Sequence, residues 1–170
     1  MVTAYIALGS NVGDKLAHMQ EAVDRLGQIL KITAASPVYE TAPMYVVDQP
    51  AFYNAAISAC TDLNPMQLLK LLKDTEALVG RQVRKRYGPR EVDLDLISYG
   101  SLQYTYALGG QVVLELPHPR SGERRFVLQP LADLDPKTVL LGLGQIRALL
   151  DATTDQAEGI TRRDDAILSI

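Results

Sequence analysis

The chain has 170 residues, 47% of them hydrophobic, with one cysteine and a formal net charge of -3. That is the size of one domain that buries its core without disulfides or a structural metal, and Cys60, inside the apolar run Ala55-Ala56-Ile57-Ser58-Ala59-Cys60, reads as a small core residue and not as a nucleophile. No apolar run approaches a membrane span and the start Met1-Val2-Thr3-Ala4 has no charged leader, so the expectation is a cytoplasmic protein without membrane attachment.

Charge is unevenly spread. Residues 151–170 carry five acids against Arg162 and Arg163, which leaves residues 1–150 neutral; of the 15 basic residues in that body, eight lie between Arg81 and Arg125. Concentrated positive potential on a neutral body favours a small anionic ligand over a long nucleic-acid track.

In chain order, Ala4–Leu8 predicts a buried first strand, and Gly9-Ser10-Asn11-Val12-Gly13-Asp14 a turn with Asp14 as helix N-cap. Its Gly9-x-x-x-Gly13 spacing fits neither a P-loop nor a dinucleotide fingerprint, so a tight strand-to-helix turn is the simpler reading. Leu16, Met19, Val23, Leu26 and Leu30 then recur at helical spacing. A second strand over Ile32–Tyr39, interrupted at Ser36-Pro37, suits a sheet edge, because proline donates no ladder hydrogen bond. The following loop, Glu40 to Pro50, is too apolar for a plain linker and reads as a lid or pocket wall. Phe52–Cys60 is a third strand in which Asn54 shares parity with Phe52 and Ala56; it is either a pocket residue or an ordinary hydrogen-bonded strand asparagine.

Asn64-Pro65-Met66-Gln67 has the chemistry of a capping box, opening a helix that runs to Val79 and stops at Gly80. Glu76 falls on its apolar stripe. It either reaches water or Lys73 one turn away, or faces a ligand or the basic loop beyond. That loop holds Arg81, Arg84, Lys85, Arg86 and Arg90, and Gly88-Pro89 leads into the strand-like Glu91-Val92-Asp93-Leu94-Asp95-Leu96-Ile97. Alternation sends Val92, Leu94 and Leu96 into the core and projects Asp93 and Asp95 together from the opposite face, roughly 7 Å apart. Two carboxylates at that spacing beside arginines suit a divalent cation carrying a polyphosphate. Further on, Gln111–Leu116 predicts a strand stopped by Pro117-His118-Pro119. An arginine-rich helical stretch (Arg120, Arg124, Arg125) enters the apolar Phe126–Leu131, a last short helix spans Ile146–Leu150, and residues 151–170 read as a loosely docked acidic tail after a 1–150 domain.

Several ordered blocks resemble the 6-hydroxymethyl-7,8-dihydropterin pyrophosphokinase family of folate biosynthesis: Ala7-Leu8-Gly9-Ser10-Asn11-Val12-Gly13-Asp14, Tyr39-Glu40-Thr41-Ala42-Pro43, and Asp48-Gln49-Pro50-Ala51-Phe52-Tyr53-Asn54. Glu76, Gly80-Arg81, Gly88-Pro89-Arg90-x-x-Asp93-Leu94-Asp95, and Leu116-Pro117-His118-Pro119-Arg120 with Arg124-Arg125-Phe126 continue the match, over about residues 3 to 136. The resemblance implies an α+β, ferredoxin-like sandwich with a mainly antiparallel sheet, and transfer of a diphosphoryl group from ATP to the pterin hydroxymethyl oxygen with release of AMP. It also implies two Mg²⁺ ions on Asp93 and Asp95, with Arg81, Arg90 and Asp95 in catalysis. ATP would meet Glu76, Arg84, Arg86, His118 and Arg124, and the pterin would meet Thr41, Pro43, Met44, Phe52, Asn54, Tyr87 and Phe126. The implied partners are ATP and the reduced hydroxymethylpterin, with no nucleic acid and no membrane, acting on a monomer. Two departures stand out: Tyr87 occupies a position where some members have tryptophan, and Lys73 replaces a polar amide. A ferredoxin-like regulatory domain would not need the acidic pair, and a metal-dependent nuclease does not suit the neutral body.

Overall fold

The first strand, β1 (Val2–Ser10), alternates through the centre of a sheet with both faces covered: Ala4, Ile6 and Leu8 enter one apolar cluster, while Tyr5 and Ala7 pack on a second. The computed structural model describes residues 1–43, 48–80 and 89–170. Helix α1 (Lys15–Gly27) opens as its sequence demands, with Asp14 Oδ1 accepting the Ala17 N–H at 3.0 Å, and buries Met19, Ala22, Val23 and Leu26. Strands β2 (Lys31–Ala35) and β3 (Val38–Thr41) lie in succession along β4 (Phe52–Thr61). Between them Ser36 compensates for Pro37: its N–H donates to the Ala56 carbonyl and its Oγ accepts the Ala56 N–H, both at 2.9 Å.

Helix α2 (Pro65–Leu78) begins with the anticipated capping box, Asn64 and Gln67 exchanging backbone-to-side-chain bonds of 2.9 Å. It packs beside α1 on the first cluster, through Leu68 and Leu72. Strand β5 (Asp93–Tyr99) pairs with β1, and a hairpin follows from β6 (Tyr104–Leu108) and β7 (Gln111–Leu116). Helix α3 (Arg125–Leu134) covers the opposite sheet face with α4 (Ile146–Ala152), joined through the short pair β8 (Val139–Leu140) and β9 (Gly144–Gln145). The main sheet runs β10-β3-β4-β1-β5, antiparallel throughout, where β10 is Ile160–Arg163. Four of these, β5-β1-β4-β3, have the order of a ferredoxin-like core, in which the connections through α1 and α2 each pass over a strand while β3 and β4 are direct neighbours.

Two expectations are corrected. Residues 160–163 are not a loose tail: they pair with β3 from Ile160↔Thr41 to Arg163↔Val38, Ala166 and Leu168 are buried, and Gln20 exchanges bonds of 2.9 Å with both Ser169 backbone groups. An open β3 edge supplied backbone partners that a polar segment without periodicity does not advertise. Cys60 is only half-buried, its sulfur 3.8 Å from Thr3 Oγ1, so it lies at the sheet margin and not in the core.

Candidate active site

Strand register assembles the site on the α3 side of the sheet. Asp93 lies opposite Gly9, which lies opposite Asn54; two pairs further along, Asp95 lies opposite Ala7, which lies opposite Ala56. Small residues on β1 thus form a low floor between the acids and Asn54. A Cβ at Gly9 would sit 3.3 Å from Asn54 Oδ1 and 3.9 Å from the Phe52 ring, so glycine leaves these two side chains their space. Above this floor is a pocket of about 340 Å³, walled by Phe52, Thr41 and Ala42 on one side and by Arg124, Phe126 and Val127 of the α3 start on another.

Asn54 Nδ2 donates to Thr41 Oγ1 at 2.6 Å, fixing the orientation of both groups within the wall. Asn11, 1% exposed, ties three segments together. Its Oδ1 accepts the Arg90 N–H at 2.8 Å, its N–H donates to the Arg90 carbonyl at 3.0 Å, and its Nδ2 donates to Gln49 Oε1 and the Pro50 carbonyl at 3.1 Å each. The Arg90 guanidinium, so anchored at its backbone, pairs with Asp93.

On the outer side of β5, Glu76 Oε1 accepts the Leu94 N–H at 2.7 Å and Lys73 Nζ at 2.9 Å, while Lys73 Nζ also donates to the Leu94 carbonyl at 3.1 Å. The pair treats Leu94 as a neighbouring strand would, taking its donor and filling its acceptor. The acid on the apolar stripe of α2 is therefore explained: at 3% exposure it closes the edge of β5. Burial raises its pKa, and Lys73 opposes that rise. Burial likewise raises the pKa of Asp95, with the charge of Asp93 adding to it, against Lys73, His118 and Arg124. His118 is lowered, chiefly by burial. Its backbone N–H donates to the Ile97 carbonyl at 2.8 Å, and the His118 carbonyl accepts from Ser121 Oγ at 2.6 Å.

Of the residues singled out from sequence, Thr41, Phe52, Asn54, Arg90, Asp93, Asp95, Arg124 and Phe126 line the one pocket. Glu76 stands behind Lys73 at the strand edge, His118 beside the pocket, and Pro43 is not among its lining residues. Met44, Arg81, Arg84, Arg86 and Tyr87 lie outside the described residues. Arg120 pairs with Glu123 at 2.8 Å, and Arg125 donates to the Leu150 carbonyl at 2.7 Å, so of these three clustered arginines only Arg124 lines the pocket. Sequence reasoning gave no role to Asn11 and offered Lys73 only as a partner for Glu76, a pairing that forms at 2.9 Å. Asn11 sits in the quoted Gly-Ser-Asn block, and Lys73 lies three residues before Glu76; only the fold shows what each one reaches.

Asp93 and Asp95 offer hard oxygen donors, and the upward pull on Asp95 is the mark of a carboxylate that a cation would relieve. Among the described residues no group of three or more His, Cys, Asp or Glu is placed to hold a metal ion, and Asp93 and Asp95 are the two carboxylates that line the pocket.

Fold and pocket define a ferredoxin-like α+β domain whose sheet face presents paired carboxylates beside arginine and an aromatic wall. A family model described as 7,8-dihydro-6-hydroxymethylpterin-pyrophosphokinase (HPPK) matches residues 5–136. The chain belongs to this family. It is 46% identical over 130 residues to the mitochondrial folate synthesis bifunctional protein of Pisum sativum, covering 76% of this chain and 24% of that protein. With the 2-amino-4-hydroxy-6-hydroxymethyldihydropteridine pyrophosphokinase of Bacillus subtilis (strain 168) the identity is 41% over 133 residues, 77% of each. The fold is also that of the wild-type HPPK-DHPS crystal structure from Plasmodium falciparum, with TM-score 0.75 at 15% identity, covering 95% of this chain and 48% of that one. The chain thus spans about a quarter of the length of the plant protein and less than half of the Plasmodium one, but more than three quarters of the bacterial enzyme.

Proposed function

We propose that this chain transfers the diphosphoryl group of ATP to the hydroxymethyl oxygen of 6-hydroxymethyl-7,8-dihydropterin and releases AMP. A bond forms between the pterin oxygen and the β-phosphorus, the bond from that phosphorus to the bridging α–β oxygen breaks, AMP leaves with that oxygen, and the hydroxyl proton is given up. The observation that carries the proposal is that one pocket is lined by Asp93, Asp95, Arg90 and Arg124 and also by Phe52, Phe126, Asn54 and Thr41. Charged groups suit a polyphosphate, and a ring-lined slot with an amide and a hydroxyl suits a flat heterocycle with polar edges.

Two Mg²⁺ ions, held by Asp93 and Asp95, would neutralise the phosphates and orient them. Asn11 fixes the backbone of Arg90, whose guanidinium lies beside Asp93 and would meet developing charge there, and Arg124 would meet it from the α3 side. Asn54 and Thr41 hold each other for contact with the pterin edge, as Phe52 and Phe126 hold its faces. Arg81, Arg84 and Arg86 add positive charge by resemblance to the family, Tyr87 and Met44 add to the pterin site, and His118 contacts ATP. With most of the rate coming from placement and electrostatics, no dedicated general base is required.

Incubation with ATP, Mg²⁺ and the reduced hydroxymethylpterin tests this directly. The expected products are AMP and the pterin diphosphate in equal amounts; ADP as product, or nucleotide turnover independent of pterin, refutes it.

A further inference from the structure

Helix α3 carries one wall of the pocket, yet its N-cap, Arg124, makes no side-chain capping bond. The first N–H groups of a helix still need acceptors. The Arg125 N–H finds one 31 residues downstream, at Gln156 Oε1, 3.0 Å away, and Gln156 Nε2 donates to the Glu123 carbonyl at 2.9 Å. A single carboxamide, donor and acceptor in one plane, therefore grips the residues immediately before and after Arg124. The Arg124 carbonyl then accepts the Val127 and Leu128 N–H groups at 3.0 Å each, which starts the helix and fixes where Phe126 projects.

Gln156 is itself held. Its N–H donates to the Thr153 carbonyl at 3.0 Å, and Thr153 Oγ1 is 3.1 Å from the carbonyls of Leu149 and Leu150, which moors the 3₁₀ turn Thr154–Gly159 on α4. The same turn leads directly into β10, whose Ile160 pairs with Thr41 on the facing wall. One segment, wholly beyond the 5–136 family match, is thus tied to both sides of the pocket.

We infer that Gln156 is a positioning residue: its carboxamide fixes Arg124 and Phe126 relative to Thr41 and Asn54. The effect on turnover rests on the proposed activity, whereas the backbone contact does not, so two readouts separate them. In full-length protein, Gln156→Ala is expected to lower kcat/KM for the pterin reaction about tenfold, with loss in kcat as well as a raised KM. It is also expected to speed amide hydrogen exchange at Arg125 by at least about tenfold. Gln156→Glu, which keeps an acceptor for the Arg125 N–H but sets a carboxylate oxygen against the Glu123 carbonyl, should recover only part of each. Unchanged kcat and KM in a folded Gln156→Ala protein, whatever its melting temperature, would overturn the positioning role. Unchanged exchange at Arg125 would overturn the contact itself, even if the wild-type protein proved inactive on pterin.

Discussion

At β3 the edge of the sheet is closed by another strand, whereas at β5 it is closed by side chains. Strand β10 meets β3 residue for residue over four pairs, and the chain then buries Ala166 and Leu168, so the donors and acceptors of that edge are met by backbone, with apolar burial beyond it and an Arg163–Glu40 ion pair of 3.0 Å across it. On β5, Glu76 and Lys73 take the two outward groups of Leu94, and the His118 N–H takes the Ile97 carbonyl. A strand satisfies an edge through its backbone, without calling on charged side chains. Closing an edge with an ion pair and a histidine instead places ionisable groups within electrostatic reach of Asp95 on the same strand. The β5 edge is therefore where the molecule trades inert closure for chemistry.

The sharpest way to break that contrast is Asp95→Asn. Turnover should fall by about 10³-fold or more. The cation-free protein should nevertheless gain about 1 kcal/mol in urea unfolding, because a carboxylate held uphill by burial and by Asp93 is removed. Near-normal activity would sink the assignment, and unchanged or lower stability would show that the strain on Asp95 is absent.

Next in size is Glu76→Ala. It orphans the Leu94 N–H and takes from Lys73 its ion-pair partner, with an expected loss of about 2–3 kcal/mol, since the lysine can partly turn to water. Glu76→Gln keeps an acceptor for Leu94 and should lose less; equal losses would mean that charge, not edge closure, is what Glu76 supplies.

On the opposite edge, Leu168→Ala should lower stability by about 2 kcal/mol while kcat per folded molecule stays at the wild-type value. A fall in kcat there would show the β3 edge to be less inert than its contacts suggest.

The smallest effect belongs to Tyr39→Phe. Tyr39 Oη donates to Asp133 Oδ2 at 2.5 Å, joining β3 to α3, and its loss should lower stability by about 1 kcal/mol. Burial and then Asp133 push the Tyr39 pKa up to about 12. The folded state thus retains the phenolic proton more tightly than the unfolded chain. That contribution is complete below about pH 10 and declines as pH rises toward 12. Wild type should lose stability over this window more steeply than Tyr39→Phe; parallel declines would refute the coupling.

Much of this was legible beforehand. The Asp14 cap, the Asn64-Pro65-Gln67 box and the period-two run through Asp93 and Asp95 are local patterns, set by which backbone groups a side chain can reach within a few residues. The resemblance marked eight residues that line one pocket. Asn11 and Gln156 escaped because each acts on backbone groups far along the chain, Asn11 on Arg90 and Gln156 on Arg125. Residues 160–170 escaped because their order depends on an open strand edge that no local pattern reveals.

The amino-acid sequence by itself determined helices α1 and α2, the alternation of β5 and the identity of the acids, since propensity, capping and side-chain period act over a few residues. Tertiary structure alone decided that Glu76 closes a strand edge instead of facing solvent, that Arg124 and not Arg120 or Arg125 enters the pocket, and that the last residues complete the sheet. Each of those outcomes depends on which donor and acceptor meet after distant segments pack, and packing is the one quantity that no short stretch of chain contains.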